Sequence, residues 1–228
     1  LKTDKFVLRM ARHEAAVYGA RALRLLNRAH ETLTRKYGLK LEKPTVVEIF
    51  DKQKDFGVRT FGMPENPGFL GVCFGCVITA NSPATQMPFP ANWEAVLWHE
   101  FCHTVTLALT KNKMPRWLSE GISVYEERQA SPTWGQRMNP DFREKILGGV
   151  LTPVGKLSGA FLSPPSPEHL QFAYYQSSLV VEYIVERFGH EAIRAILDKL
   201  AQGVKINVAI AQAVEPMEKL EVAFAIYA

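Results

Sequence analysis

Apolar positions recur at helical spacing from residue 13 to residue 37, where Ala16, Tyr18, Leu23, Leu26, Ala29, Leu33 and Tyr37 fall with few breakers and Gly38 follows. The pattern predicts one long amphipathic helix. The period then shortens: Thr45-Val46-Val47-Glu48-Ile49-Phe50 reads as a strand, the run from Phe61 to Phe69, with its Gly and Pro residues, as a loop, and Leu70 to Thr79 as a second strand. That second strand is apolar almost throughout, which predicts burial on both faces or an outer face that borders a cleft. The proline-rich segment Asn81 to Pro90 is a connector, and Asn92 is a fitting N-cap for a helix from Trp93 to about Leu109. Pro115 opens the next helix, Arg116 to about Gln129, and residues 131 to 168, rich in Pro and Gly, read as irregular. Helical patterns follow from about Leu170 to Phe188, stopping at Gly189, then at 190–202, 206–214 and 216–227. A helix and strands followed by helices alone predict an α+β protein, with a sheet lobe over residues 1–110 and a helical lobe over 111–228. A cleft between two lobes is a favoured place for a site.

Composition narrows the function classes. The chain has 228 residues, 47% hydrophobic and 22% charged, enough apolar material for a real core. Its net charge is only +4, and the Lys and Arg residues are scattered, which argues against a nucleic-acid partner. No apolar stretch approaches the roughly 20 residues that cross a bilayer, and Leu1 starts the sequence without a signal-like segment. The sequence reads as a soluble piece excised from something longer. Three cysteines, an odd number, do not suggest a disulfide framework. Cys73 and Cys76 have C-x-x-C spacing, but on one strand such residues face opposite sides, so both read as small packing residues and not as a metal or redox pair.

The chemistry lies in His99-Glu100-Phe101-Cys102-His103, an H-E-x-x-H pentad. On a helix, two histidines four apart stand one above the other and can reach the same ion, the geometry that zinc uses. Glu100 is turned about 100° from His99 around the helix, which puts its carboxylate beside the metal, where it can take a proton from the attacking water. The flanks Val96, Leu97, Phe101, Val105 and Leu107 are apolar, and unpartnered histidines would be costly among them. A catalytic zinc needs a third protein ligand and an open position for water. The longer pattern with a glycine and a third histidine fails at Thr106 and Leu109, so the ligand is sought among acidic residues of the following helix. Glu120, within Pro115-Arg116-Trp117-Leu118-Ser119-Glu120-Gly121, stands out; Glu126 and Glu127, farther along, read as solvated charges.

The pentad, the thirteen intervening residues and Trp117-Leu118-Ser119-Glu120-Gly121 together resemble the gluzincin (peptidase MA-like) superfamily of zinc metallopeptidases, whose relatives include thermolysin and the aminopeptidase N family. Ala173-Tyr174-Tyr175-Gln176-Ser177 resembles the A-Y-x-Q-S start of a later helix in bacterial gluzincin-like domains. The resemblance covers about residues 45 to 190. It implies a thermolysin-like fold, a small mixed sheet lobe and a helical lobe with the zinc cleft between, and the strand Leu70 to Thr79 edging that cleft. It implies one Zn2+ on His99, His103 and Glu120, Glu100 as general base, and a tyrosine steadying the oxyanion. Tyr174 aligns with that tyrosine, although a packing role beside Phe172 and Tyr175 is open, as is which of Tyr174 and Tyr175 faces the zinc. His169, read as a loop residue, is either a proton donor or a solvated surface histidine.

The expected partner is a peptide or protein substrate. Gly62-Met63-Pro64-Glu65-Asn66 looks like the segment that grips a substrate's amino terminus in the aminopeptidase N family, but Pro67 and Gly68 intervene before the strand, and matching the strands puts Val72 where an acidic residue is expected. Glu65 then reads as a loop carboxylate, and cleavage within chains is expected. The bacterial relatives also imply further domains or anchors before Leu1 and a location in the cell envelope or outside the cell. The alternative is a gluzincin-like binding or scaffold module without turnover.

Overall fold

The computed structural model describes residues 1–64, 68–86 and 91–228, at Gln86 the backbone alone. The chain divides into two compact units, Leu1–Val105 and Thr106–Ala228.

In the first unit, β1 (Phe6–Met10), β2 (Thr45–Phe50), β3 (Gly71–Phe74) and β4 (Val77–Asn81) form a four-stranded sheet in the order β1-β2-β4-β3. β1, β2 and β4 run parallel, and β3 pairs antiparallel with β4. Register puts Leu8 beside Val47 and Val47 beside Ile78, and these residues, with Phe6, Ile49 and Ala80, line one buried face. Helix α2 (Ala20–Tyr37) offers a buried stripe of Leu25, Leu26, Ala29 and Leu33, and ends at Gly38, whose φ of +66° suits a left-handed cap. The opposite face carries α3 (Gln53–Phe61), whose Phe56 meets Phe50 of β2 at 6.2 Å.

The first unit differs from the sequence reading in three places. β1 was not expected; Phe6 and Leu8 point inward while Arg9 is exposed, a short alternation at the edge of the sheet. The strand expected over Leu70 to Thr79 is a hairpin, because Gly75 turns the chain at φ +65° between β3 and β4. Burial on both faces holds for most of β4 but not for β3, which is half-exposed. The turn also separates the cysteines: Cys73 is half-buried on β3 and Cys76 is exposed beyond it, so Cys76 is not a packing residue, and both are free thiols. The long first helix is broken as well. It begins as α1 (Arg12–Glu14) and a π-helical turn, Ala15–Gly19, that buries Glu14, where the carboxylate accepts a hydrogen bond from Ser82. Burial, then Glu14, holds the Tyr18 phenol pKa far above its ordinary value.

Helix α4 (Trp93–Thr110) follows, with Asn92 Oδ1 accepting from Ala95 N at 3.2 Å as the expected cap. It is apolar on most sides and correspondingly buried. Phe101 packs on Phe6 of β1 (5.5 Å) and His30 of α2 (5.9 Å), while Arg21 of α2 grips Glu94 with two bonds of 2.7 and 2.8 Å.

The second unit is built on α5 (Arg116–Ala130) and α8 (Pro167–Phe188), joined by α6 (Pro140–Leu147), α7 (Leu157–Leu162), α9 (His190–Ala201), α10 (Ile206–Ala213) and α11 (Met217–Tyr227). The last three match the expected helices to within a residue or two. The stretch 131–168 is less irregular than expected: Asn139 Oδ1 caps α6 on Phe142 N at 2.8 Å, with Pro140 in the first turn.

The two helices meet at Gly121 and Ser177, where a Cβ on Gly121 would lie 2.6 Å from the Ser177 carbonyl oxygen. Backbone cannot retreat as a side chain can. Gly121→Ala is therefore expected at or above the upper end of the 1–3 kcal/mol that overpacking costs, about 3 kcal/mol, read as a drop in thermal midpoint of roughly 6–12 °C. A shift under two degrees would mean that the helices separate without cost.

Candidate metal centre

Trp117 and Leu118, 1% and 0% exposed, fix the rotation of α5. Glu120 and Arg116, four apart, then share another face, and Arg116 Nε donates to Glu120 Oε1 at 3.3 Å. On α4, the rings of His99 and His103 stand edge to face with centroids 4.6 Å apart, one helical turn from each other. His99, His103 and Glu120 each offer one ligand atom, and these atoms lie within 4.8 Å of one another. Two imidazoles and one carboxylate suit zinc or a neighbouring divalent transition metal, and three protein donors leave a position open for water. The residues therefore fit a resident metal.

Glu100 is 7% exposed. Beside it runs β3, and the approach is close because position 71 is glycine: a Cβ there would lie 2.9 Å from Glu100 Cγ and 3.0 Å from Glu100 Oε1. One residue pair along the same contact, Cys73 Sγ lies 3.4 Å from Thr104 Oγ1. Burial first, against the hydrogen bond from Thr104, pushes the Cys73 thiol up to about 12, so this sulfur is an inert neighbour of Glu100.

Tyr174 and Tyr175, adjacent on α8, have different surroundings. Tyr175 is 4% exposed and stacks on Phe142 at 5.0 Å. Tyr174 is half-buried, and its hydroxyl accepts a hydrogen bond from Arg116 Nη2 at 3.2 Å. A chain of contacts thus runs from Glu120 through Arg116 to Tyr174. Partial burial opposes the charge on Arg116, but Tyr174 and Glu120 outweigh it and hold its pKa above the ordinary value.

Other letters of the 173–177 segment have structural work. Gln176 is 1% exposed and clamps the loop at Thr152, donating to its carbonyl at 2.6 Å and accepting from its N–H at 3.1 Å.

Two expectations change. Glu126 and Glu127 are not solvated but 1% and 8% exposed, because α5 is covered on that side as well. Glu126 Oε1 lies 4.0 Å from His190 Nε2. His169 is not in a loop: it sits in the first turn of α8, with Nδ1 2.9 Å from the capping Ser166 Oγ. Arg116 was not singled out from the sequence, although its position four residues before Glu120 was a legible signal. Glu65 lies outside the described residues.

Residues 27–218 match the family model of the Peptidase MA superfamily. The chain belongs to that superfamily. The match spans the H-E-x-x-H helix, Glu120 and all but the end of the second unit. Peptidase MA proteins are typically metal-dependent, in keeping with the donors that converge here. No curated protein matches the chain.

Proposed function

We propose that the protein is a zinc-dependent peptidase with a thermolysin-like arrangement, hydrolysing bonds within peptide chains. The observation that carries this reading is the convergence of His99, His103 and Glu120 with Glu100 on the same helix as the two histidines. In this reading the three ligands hold one zinc ion, which when bound supplies Lewis acidity to the scissile carbonyl and its attacking water. Glu100 accepts the proton from that water and delivers it to the leaving amine. Tyr174 donates its hydroxyl hydrogen to the developing oxyanion while Arg116 holds the phenol oxygen from behind. β3, last in the sheet order and in contact with Glu100, is the strand along which substrate would extend.

The first test is cleavage of an unstructured protein with and without chelator, followed by zinc. Chelator is expected to stop cleavage and zinc to restore it. Full zinc occupancy with no cleavage of any peptide would instead assign the fold to a silent binding module.

Cleavage is expected at internal bonds. A peptide and its N-acetylated form should be cut at rates within about threefold of each other, since capturing an ammonium would need a charge-assisted partner that Val72 does not provide. Strong dependence on the free amine, removed by Glu65→Ala, would reverse this part of the reading.

The tyrosines separate by neighbour. Tyr174→Phe is expected to lower kcat by roughly 10²–10³-fold with little change in KM, the usual effect of removing one oxyanion donor. Tyr175→Phe should leave kcat nearly unchanged. The opposite ranking would mean that the phenol facing the substrate is Tyr175.

A further inference from the structure

Arg116 is held from three sides. Nε donates to Glu120 at 3.3 Å, Nη2 donates to the Tyr174 hydroxyl at 3.2 Å, and Phe161 lies against the guanidinium with 5.5 Å from Cζ to the ring centroid. Phe161 and Tyr174 also meet edge to face at 5.2 Å, so the two rings form one support. A surface Arg–Glu pair one turn apart needs none of this.

A guanidinium carries five N–H groups in a planar fork. Glu120 takes the one on Nε and Tyr174 takes one on Nη2. The Nη1 edge has no protein partner among the described residues, and the side chain remains 44% exposed while that of Glu120 is 12% exposed. Glu120 is also the carboxylate that a metal would take, so it is not free to balance Arg116 alone. The result is a fixed cation, with an open pair of donors, one contact away from the metal ligand and from Tyr174. Planar paired donors match a carboxylate, and a single such group suits one carboxylate better than a phosphate, which usually gathers several cations.

We propose that Arg116 recognises a carboxylate of the substrate. The inference rests on the peptidase reading, because it assigns a substrate to that site. A peptide can present this group as an Asp or Glu side chain beside the bond to be cut, in keeping with internal cleavage, or as its C-terminal carboxylate, which would instead direct the cut to the last residues of the chain.

Two peptide pairs distinguish the sources: one ends in a free acid or an amide, the other has Glu or Gln at one internal position and a C-terminal amide throughout. Binding to the zinc-loaded protein is measured by calorimetry on Glu100→Gln, with and without Arg116→Gln or Arg116→Lys added, and cleavage by mass spectrometry on the Glu100-containing protein. One pair is expected to bind roughly tenfold or more tightly in its carboxylate form, the scale of a charge-assisted bond. Arg116→Gln should reduce that ratio below about twofold and Arg116→Lys should restore part of it. Preference in the first pair assigns the C-terminus, and preference in the second assigns an acidic side chain. Equal binding within both pairs, or a preference that survives Arg116→Gln, overturns the proposal. So does a loss of kcat in Arg116→Gln that is equal for both members of each pair with their binding ratio unchanged, because that is the effect of merely holding Tyr174. If the preference is present but no peptide is ever cleaved, the carboxylate site stands and the peptidase reading falls.

Discussion

Glu100→Gln is expected to keep the metal and lose hydrolysis, with kcat falling on the order of 10²–10⁴-fold, the usual contribution of a positioned acid or base. The substitution preserves size, and size matters here, because Glu100 is 7% exposed and its Cγ and Oε1 lie against the backbone of Gly71. An amide fits the same space but cannot take a proton. Metal content, measured on the same preparation, should remain at the level of the parent protein, since Glu100 is not one of the three converging donors. A variant that retained near-parental kcat would show that the proton goes elsewhere. Gly71→Ala offers a control from the opposite side of the contact: with Val96 Cγ1 at 2.8 Å from the added methyl, either β3 or the Glu100 side chain must shift.

The pentad was legible because its spacing is its geometry: two residues four apart on a helix need no tertiary information to share a face. The Asn92 cap and the helices from α8 onward were legible for a similar reason, since each has a periodic stripe and a terminal signal such as Gly189. What could not be read depended on contacts distant in sequence. Continuous apolar character hid the hairpin in residues 70–81, where Gly75 was the one local sign of a turn. α3 buries only Phe56 and Gly57 and so presents no stripe to find. The burial of Glu126 contradicts the simplest rule for a charged residue and follows from coverage of α5 by other helices, α8 among them. The glycine of Trp117-Leu118-Ser119-Glu120-Gly121 and the serine of Ala173-Tyr174-Tyr175-Gln176-Ser177 lie more than fifty residues apart, yet each explains the other: they are where α5 and α8 touch. Their place in the resemblance is structural, while Glu120 and Tyr174 in the same segments face Arg116.

Glu120→Ala and Glu126→Ala are expected to fail in different ways. Glu120 presents an oxygen within 4.8 Å of the ligand atoms of His99 and His103, so its removal leaves a zinc ion with two protein donors. Changes to groups behind metal ligands already cost 10–100-fold in metal affinity, and loss of a ligand itself should weaken zinc by at least about 100-fold. The fold should be little disturbed, since Glu120 is half-buried and Trp117 and Leu118 anchor that turn. Glu126, six residues farther along α5, lies beside His190 at 4.0 Å and is 1% exposed. Deleting it empties a buried position and removes the carboxylate that faces His190, at about 1–3 kcal/mol, or a thermal midpoint lower by roughly 2–12 °C, with zinc affinity unchanged. Zinc titration and thermal unfolding of both variants separate the two roles. Full zinc affinity in Glu120→Ala, with loss of zinc in a folded Glu126→Ala, would transfer the third ligand to Glu126 and detach Arg116 and Tyr174 from the metal centre.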